Sequence, residues 1–207
     1  MKKVWMLIVA LGLCGAAFAQ PAQGDRVLQG SVGLNVLGQF PDPSGTSTWS
    51  LIAIQPQYGV FVNEHWALGV SAGYAIGWQG SRTSGDFGKN VVRNSVSLYH
   101  IGFEADYYLR LAERFYLSLD GFVGYVGGFI GETYKVDGWK DCTTTPMHGA
   151  LLSVTPALRY FINDRWMLSA SLGNVAVGIM SGAAMDRAIY YAGANWGQIM
   201  LGVGFKF

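Results

Sequence analysis

The chain has 207 residues, of which 51% are hydrophobic, 14% aromatic and only 13% charged, where a water-soluble domain carries about a quarter charged. Fourteen basic against 13 acidic residues give a formal net charge of +1, so there is no electrostatic case for a nucleic-acid partner. Few charges and many aromatics imply a surface that does not all face water.

The N-terminal stretch reads as an export signal. Lys2 and Lys3 precede an apolar run at 4–13, and Ala17-Phe18-Ala19 supplies the small-x-small cleavage pattern. Residues 1–19 are therefore expected to be a cleaved signal peptide and 20–207 a single mature domain. Leu13 before Cys14 is too bulky for lipoprotein processing. Removal of Lys2 and Lys3 leaves 12 basic and 13 acidic residues, a net charge of −1. Cys142 is then the remaining cysteine, which precludes an intramolecular disulfide.

Strands are predicted along the rest of the chain at 27–39, 49–62, 66–79, 95–109, 115–129, 150–162, 166–177 and 196–207. The third shows the reason most clearly. In "WALGVSAGYAIGWQ", Trp66, Leu68, Val70, Ala72, Tyr74, Ile76 and Trp78 alternate with small or polar residues, a period of two. The uncharged stretch 166–185 is long enough to cross a bilayer as a helix. Trp166, Leu168, Ala170 and Leu172, however, alternate with Met167, Ser169, Ser171 and Gly173, and a helix would scatter those small residues around its surface.

The connections are of two kinds in strict alternation. "VNEHW", "LAERF" and "INDRW" are tight turns recurring about every 50 residues, each ending on an aromatic. The others are longer and rich in Gly, Ser, Asp and Thr, as in "PDPSGTSTW", "GSRTSGDFGKN" and "GETYKVDGWKDCTTTPMHG", and read as loops. Short turns on one side and long loops on the other, with an even strand count, describe an outer-membrane barrel whose turns are periplasmic. In hydrocarbon a sheet can leave no unpaired edge, so the last strand must close on the first. Across that seam an outward row of Ile199, Leu201, Val203, Phe205 and Phe207 would meet Leu28, Val32, Leu34 and Val36. Trp49, Trp66, Trp78, Trp166 and Trp196 fall at predicted strand ends, where an aromatic belt meets lipid headgroups.

With these features the chain resembles the small outer-membrane β-barrel proteins of Gram-negative bacteria. The segment "IQPQYGVFVNEHWALGVSAGY" is similar to the hairpin step of Bacteroidetes-type barrel domains. The closing "GVGFKF" resembles that family's terminal recognition signal, which implies that Leu201, Val203, Phe205 and Phe207 are read by the barrel-assembly machinery. The resemblance implies fold and bacterial outer-membrane location; it leaves activity open, since the architecture serves structural proteins, adhesins, pores and lipid-modifying enzymes.

Residues opposite the bulky rows would line the lumen. They include His100, Glu104, Asp106, Tyr108 and Arg110 on the fourth strand, Tyr116, Ser118 and Asp120 on the fifth, and Thr155 and Arg159 on the sixth. Asp120 should lie across from Asp106 or Glu104, a like-charge contact that needs a cation. Arg159 is the expected partner, with Arg110 and Lys206 nearby. An eight-stranded barrel is just wide enough to be filled by side chains, so this network is read as a fastening that plugs the lumen.

Other motifs carry less. "GVSAG" matches a nucleophile elbow, but Ser71 sits mid-strand and not on a strand-to-helix turn. "GDFGKN" lacks phosphate-loop spacing. His65, His100 and His148 are far apart and read as turn, lumen and loop residues, so neither metal nor other cofactor is expected. His148, Asp86, Asp137, Asp141, Ser81 and Ser84 could be assembled into a rim triad only from ordinary loop composition. The expectation is a closed eight-stranded antiparallel barrel, a monomer in the outer-membrane lipid bilayer, structural or interactive in role, with unidentified partners at its external loops. Its rivals are a lipid-modifying enzyme, a narrow pore and a soluble ligand-carrying barrel.

Overall fold

A computed structural model of the chain describes residues 21–42, 45–85, 88–136, 139–182 and 189–207, so the expected signal peptide at 1–19 lies outside the described residues. Eight antiparallel strands follow one another around a closed ring: β1 (Arg26–Asp42), β2 (Gly45–Phe61), β3 (Trp66–Gly85), β4 (Gly88–Arg110), β5 (Phe115–Val136), β6 (Trp139–Phe161), β7 (Trp166–Gly182) and β8 (Ile189–Lys206). The ring closes where β8 returns to β1, with Leu28 opposite Phe205, Val32 opposite Leu201 and Leu34 opposite Ile199. These are the bulky rows that the alternation pairs across the seam.

Burial follows the same alternation. Leu201 is 63% exposed and Phe103 69%, whereas the neighbouring Gly202 and Glu104 are buried. Exposed apolar side chains recur on all eight strands. A continuous belt of this kind is unfavourable in water and favourable in hydrocarbon, where the closed ladder satisfies the backbone.

The three tight turns explain the repeat at "VNEHW", "LAERF" and "INDRW". Val62, Leu111 and Ile162 donate their N–H groups to the carbonyls of Trp66, Phe115 and Trp166 at 2.8, 2.9 and 2.9 Å. In two of the turns an Asn caps the corner. Asn63 Oδ1 accepts from the N–H groups of His65 and Trp66, both at 2.8 Å, and Asn163 Oδ1 from those of Arg165 and Trp166, both at 2.9 Å. These are the local side-chain-to-backbone bonds for which Asn is favoured in turns. Each turn then reaches the next strand. The carbonyls of His65, Arg114 and Arg165 accept from the N–H groups of Tyr108, Phe161 and Lys206.

Away from the turns, the expected long loops are corrected to paired strand. β3 and β4 remain in register up to Gly85 opposite Gly88, and β5 and β6 up to Val136 opposite Trp139. The strands are 17 to 23 residues long, about twice the 9–11 that a tilted crossing requires. Their outer parts project past the apolar belt. On β6 the belt ends near Ala150, and beyond it Thr143, Thr144, Pro146 and His148 are exposed. Where both faces of a sheet meet water, neither row needs to be apolar, and the period-two signal disappears although the ladder continues. Among the described residues, β2 pairs with β3 only as far as Thr48 and Gly80, and β7 with β6 only as far as Met147 and Gly182. Among the described residues the part that stands highest is therefore a four-stranded sheet, β3 to β6.

One departure from simple alternation occurs within β7. Leu172 faces outward, Gly173 is buried, and the outward row resumes at Val175 and Val177. Gly173 has φ of +67° and the register shifts beside it on both neighbouring strands. A glycine in the left-handed region is what a bulge of this type requires.

Candidate functional site

The lumen is layered. At the turn end, Phe61, Tyr108, Tyr116, Phe161 and Met167 form a buried floor, with ring centroids 4.9 Å apart for Phe61 and Tyr108 and 5.3 Å for Tyr116 and Phe161. On this floor rests Arg159, only 1% exposed, its guanidinium carbon 4.8 Å from the centre of the Tyr108 ring. That geometry adds a cation–π contact to the ionic ones.

Arg159 gathers two carboxylates. Asp106 and Asp120 face each other directly in the β4–β5 register, and Arg159 Nη2 lies 2.8 Å from Asp120 Oδ2 and 3.4 Å from Asp106 Oδ2. Its other donors are also engaged: Nε donates to Ser118 Oγ at 2.8 Å and Nη1 to Gln29 Oε1 at 2.7 Å. Two opposed carboxylates alone would repel. The guanidinium between them, satisfied by four separate acceptors, is the arrangement in which a buried charge is tolerated.

Three glutamines complete the layer. Gln57 donates to Asp106 Oδ2 at 2.7 Å, Gln55 to Glu104 Oε1 at 3.0 Å, and Gln29 to the Ser169 hydroxyl at 3.2 Å. The lumen row read from the fourth to sixth strands omits them, yet the signal is present: Gln29 alternates with Leu28, and Gln55 and Gln57 interrupt an otherwise apolar β2. Even so, the carboxylates are not saturated. Glu104 Oε2, Asp106 Oδ1 and Asp120 Oδ1 are buried and have no hydrogen-bond partner. The buried Ser71 hydroxyl lies beside Glu104 but outside hydrogen-bonding geometry.

Two residues predicted beside this network lie elsewhere. Arg110 is exposed at the end of β4, past the Tyr108 floor, and its Nε donates to the Ala112 carbonyl at 3.4 Å. Lys206 pairs at 2.7 Å with Asp25, below the first strand. Alternation states which face a side chain takes; it does not state depth, and both cations are at a different height from the one expected.

Above the charged layer lies a cavity of about 370 Å³, bounded below by Glu104, Asp120, Gln29 and Gln57 and on its walls by Leu51, Ala53, Phe122, Val126 and Leu151. His100 lines it, with its ring edge-on to Phe122 at 5.1 Å. Ser71 is buried in the middle of β3, not on an elbow. His65 belongs to its turn, where Nδ1 lies 3.2 Å from the Tyr108 carbonyl; His148 lies on β6, not in a loop. Ser81 and Ser84 likewise lie on β3 and Asp141 on β6, while Asp86 and Asp137 are outside the described residues. Among the described residues no group of three His, Cys, Asp or Glu side chains could hold a metal ion.

On the outside, Trp66 and Trp166 are exposed at the first residues of β3 and β7, whereas Trp78, also exposed, lies within β3, seven residues before its end at Gly85, because the ladder continues past the strand end expected for it. The side chains of Trp49 and Trp196 lie outside the described ones. The turn end also carries aromatics that a tryptophan search misses. Trp66 packs against Tyr107 at 5.1 Å, Phe115 against Tyr160 at 4.9 Å, and Trp166 against Phe205 at 5.0 Å. These are cross-strand aromatic pairs, each beside one of the three tight turns.

No protein-family model matches the chain, and no curated protein matches it in sequence. Solved structures do match. The outer membrane protein OprG from Pseudomonas aeruginosa is similar at a TM-score of 0.52 and 13% identity, over 92% of this chain and 99% of that one. Neisserial surface protein A gives 0.48 and 13% over 89% and 100%, and Ail, the attachment invasion locus protein of Yersinia pestis, 0.46 and 14% over 89% and 99%. At 13% identity what the chain shares with the outer membrane protein OprG is the fold.

Proposed function

We propose that this chain is an integral outer-membrane barrel with a structural or interaction role, whose contact surface is the projecting β3–β6 sheet and whose lumen is closed by the Arg159 layer. The observation that carries the reading is the combination, in one barrel, of a buried aromatic and charged layer at the turn end and strands that extend well past the belt. A guanidinium held by four acceptors across the lumen would obstruct an ion path, and the exposed Asp141, Thr143 and Thr144 on the projecting part of β6 give a partner polar groups to meet. The hairpin step at Asn63, Glu113 and Asn163 supports a Bacteroidetes-type barrel domain, and the terminal Leu201, Val203, Phe205 and Phe207 row is the segment for the assembly machinery to read. The protein acts as a monomer, without cofactor and without enzymatic chemistry.

Two assays on purified, folded protein test this. In planar bilayers it should give no stable conductance steps, and incubation with lipid A and phospholipids should leave their acylation unchanged. Regular conductance steps would replace this reading with a narrow pore, and altered acylation with a lipid-modifying enzyme.

A further inference from the structure

Going beyond that reading, we propose that the cavity above the charged layer is a binding site for a small organic cation, an ammonium group on a short apolar body, with Glu104 and Asp120 as its anionic floor. Three observations converge on it. The first is charge: Glu104, Asp106 and Asp120 surround one guanidinium, and the ion pairs of Arg159 go to Asp106 and Asp120. Arg110 lies past the aromatic floor and Lys206 pairs with Asp25, so both stand away from Glu104.

The second is an unmet acceptor. Glu104 is 6% exposed; its Oε1 accepts from Gln55, but its Oε2 is buried without a partner, as is Asp120 Oδ1. Both residues line the cavity. The adjoining Ser71 hydroxyl is neutral, so even a small shift that let it donate would leave the charge unbalanced. A buried carboxylate oxygen with no donor is costly to leave so, and an N–H donor carrying positive charge is the group that satisfies it best.

The third is shape and lining. A volume of about 370 Å³ falls in the range of small-molecule pockets, about 300–1,000 Å³. Leu51, Ala53, Val126 and Leu151 offer an apolar wall, and Phe122, opposite Glu104 in register, adds an aromatic face toward which a cation is drawn. Such walls suit an organic cation better than a hydrated metal ion, and no three-ligand metal cluster is present among the described residues.

The test is titration calorimetry of the folded protein in an uncharged detergent, referenced to empty micelles, with n-butylamine, 1-butanol and potassium chloride as probes. The amine should bind one-to-one, the alcohol should not bind measurably, and potassium at equal concentration should not displace the amine. Glu104→Gln should weaken amine binding by about tenfold or more, the loss of one charge-assisted hydrogen bond. Ala53→Phe, which fills the wall without altering charge, should abolish it. If Glu104→Gln fails to fold, the amine–alcohol comparison and Ala53→Phe still decide the matter. Equal binding of amine and alcohol, displacement by potassium, no amine binding, or full binding in Ala53→Phe would overturn the proposal.

Discussion

Replacing Arg159 by alanine tests the physics of the lumen most sharply. The side chain is 1% exposed and sits between Asp106 and Asp120, whose own side chains are 4% and 19% exposed. Its loss leaves two directly opposed carboxylates without their cation and also removes a partner of Ser118 and of Gln29. Breaking a buried pair by removing one member costs about 3–5 kcal/mol. Because Asp120 retains some solvent, we expect the lower end of that range, about 3 kcal/mol. The assay is reversible urea unfolding in lipid vesicles, followed by the heat-dependent electrophoretic mobility of the barrel. If repulsion is the cause, the same Arg159→Ala change made on an Asp106→Asn, Asp120→Asn background should cost much less. A loss below about 0.5 kcal/mol, the size of an ordinary surface change, or an equal loss on both backgrounds, would rule out carboxylate repulsion as what Arg159 relieves.

Three further changes probe other levels of the fold. Ala112 occupies the turn position that Asn63 and Asn163 hold elsewhere, so Ala112→Asn should stabilise the barrel by up to about 1 kcal/mol, the worth of a typical hydrogen bond, in the same urea assay. Gly102 faces Gly124 across β4 and β5, and a Cβ on it would collide with the Val123 carbonyl oxygen and the Gly124 Cα, whereas a Cβ on Gly30 would meet nothing within 4 Å. Gly102→Ala should therefore lower the urea midpoint clearly while Gly30→Ala leaves it unchanged or raised. Phe103→Arg, mid-belt, should cost about 2–4 kcal/mol of vesicle folding free energy, and Thr144→Arg, on the projecting part of β6, should cost almost nothing.

Much of the barrel is readable in the sequence because the membrane imposes a strict rule on it. Wherever one face of a strand meets lipid, bulky residues such as Leu68, Val70 and Ile76 must occupy every second position, and that rule locates the strands, their faces and the seam. The tight turns carry their own chemistry in Asn63 and Asn163. The rule lapses where it has no cause. Above the belt both faces are solvated, so the continuation of β5 and β6 through Thr143 and Thr144 reads as loop. Side-chain parity likewise gives no depth: it puts Arg159, Arg110 and Lys206 on one face, yet Arg159 alone of the three stands level with Asp106 and Asp120. The bulge at Gly173 has only a Gly-Asn pair as its sign, and it shifts the parity of the rest of β7.

The most direct test of an outer-membrane barrel with its extended sheet outside the cell uses Cys142, which is free and exposed on β6. Intact cells expressing the protein are treated with a maleimide carried on a polyethylene glycol chain too large for general porins. A Cys142→Ser, Asp164→Cys variant, with its thiol in the β6–β7 turn, serves as the opposite pole. Cys142 should be labelled on intact cells, and the thiol introduced in the turn only after lysis. Labelling of Cys142 only after lysis, or of both sites on intact cells, would rule out a barrel in this orientation.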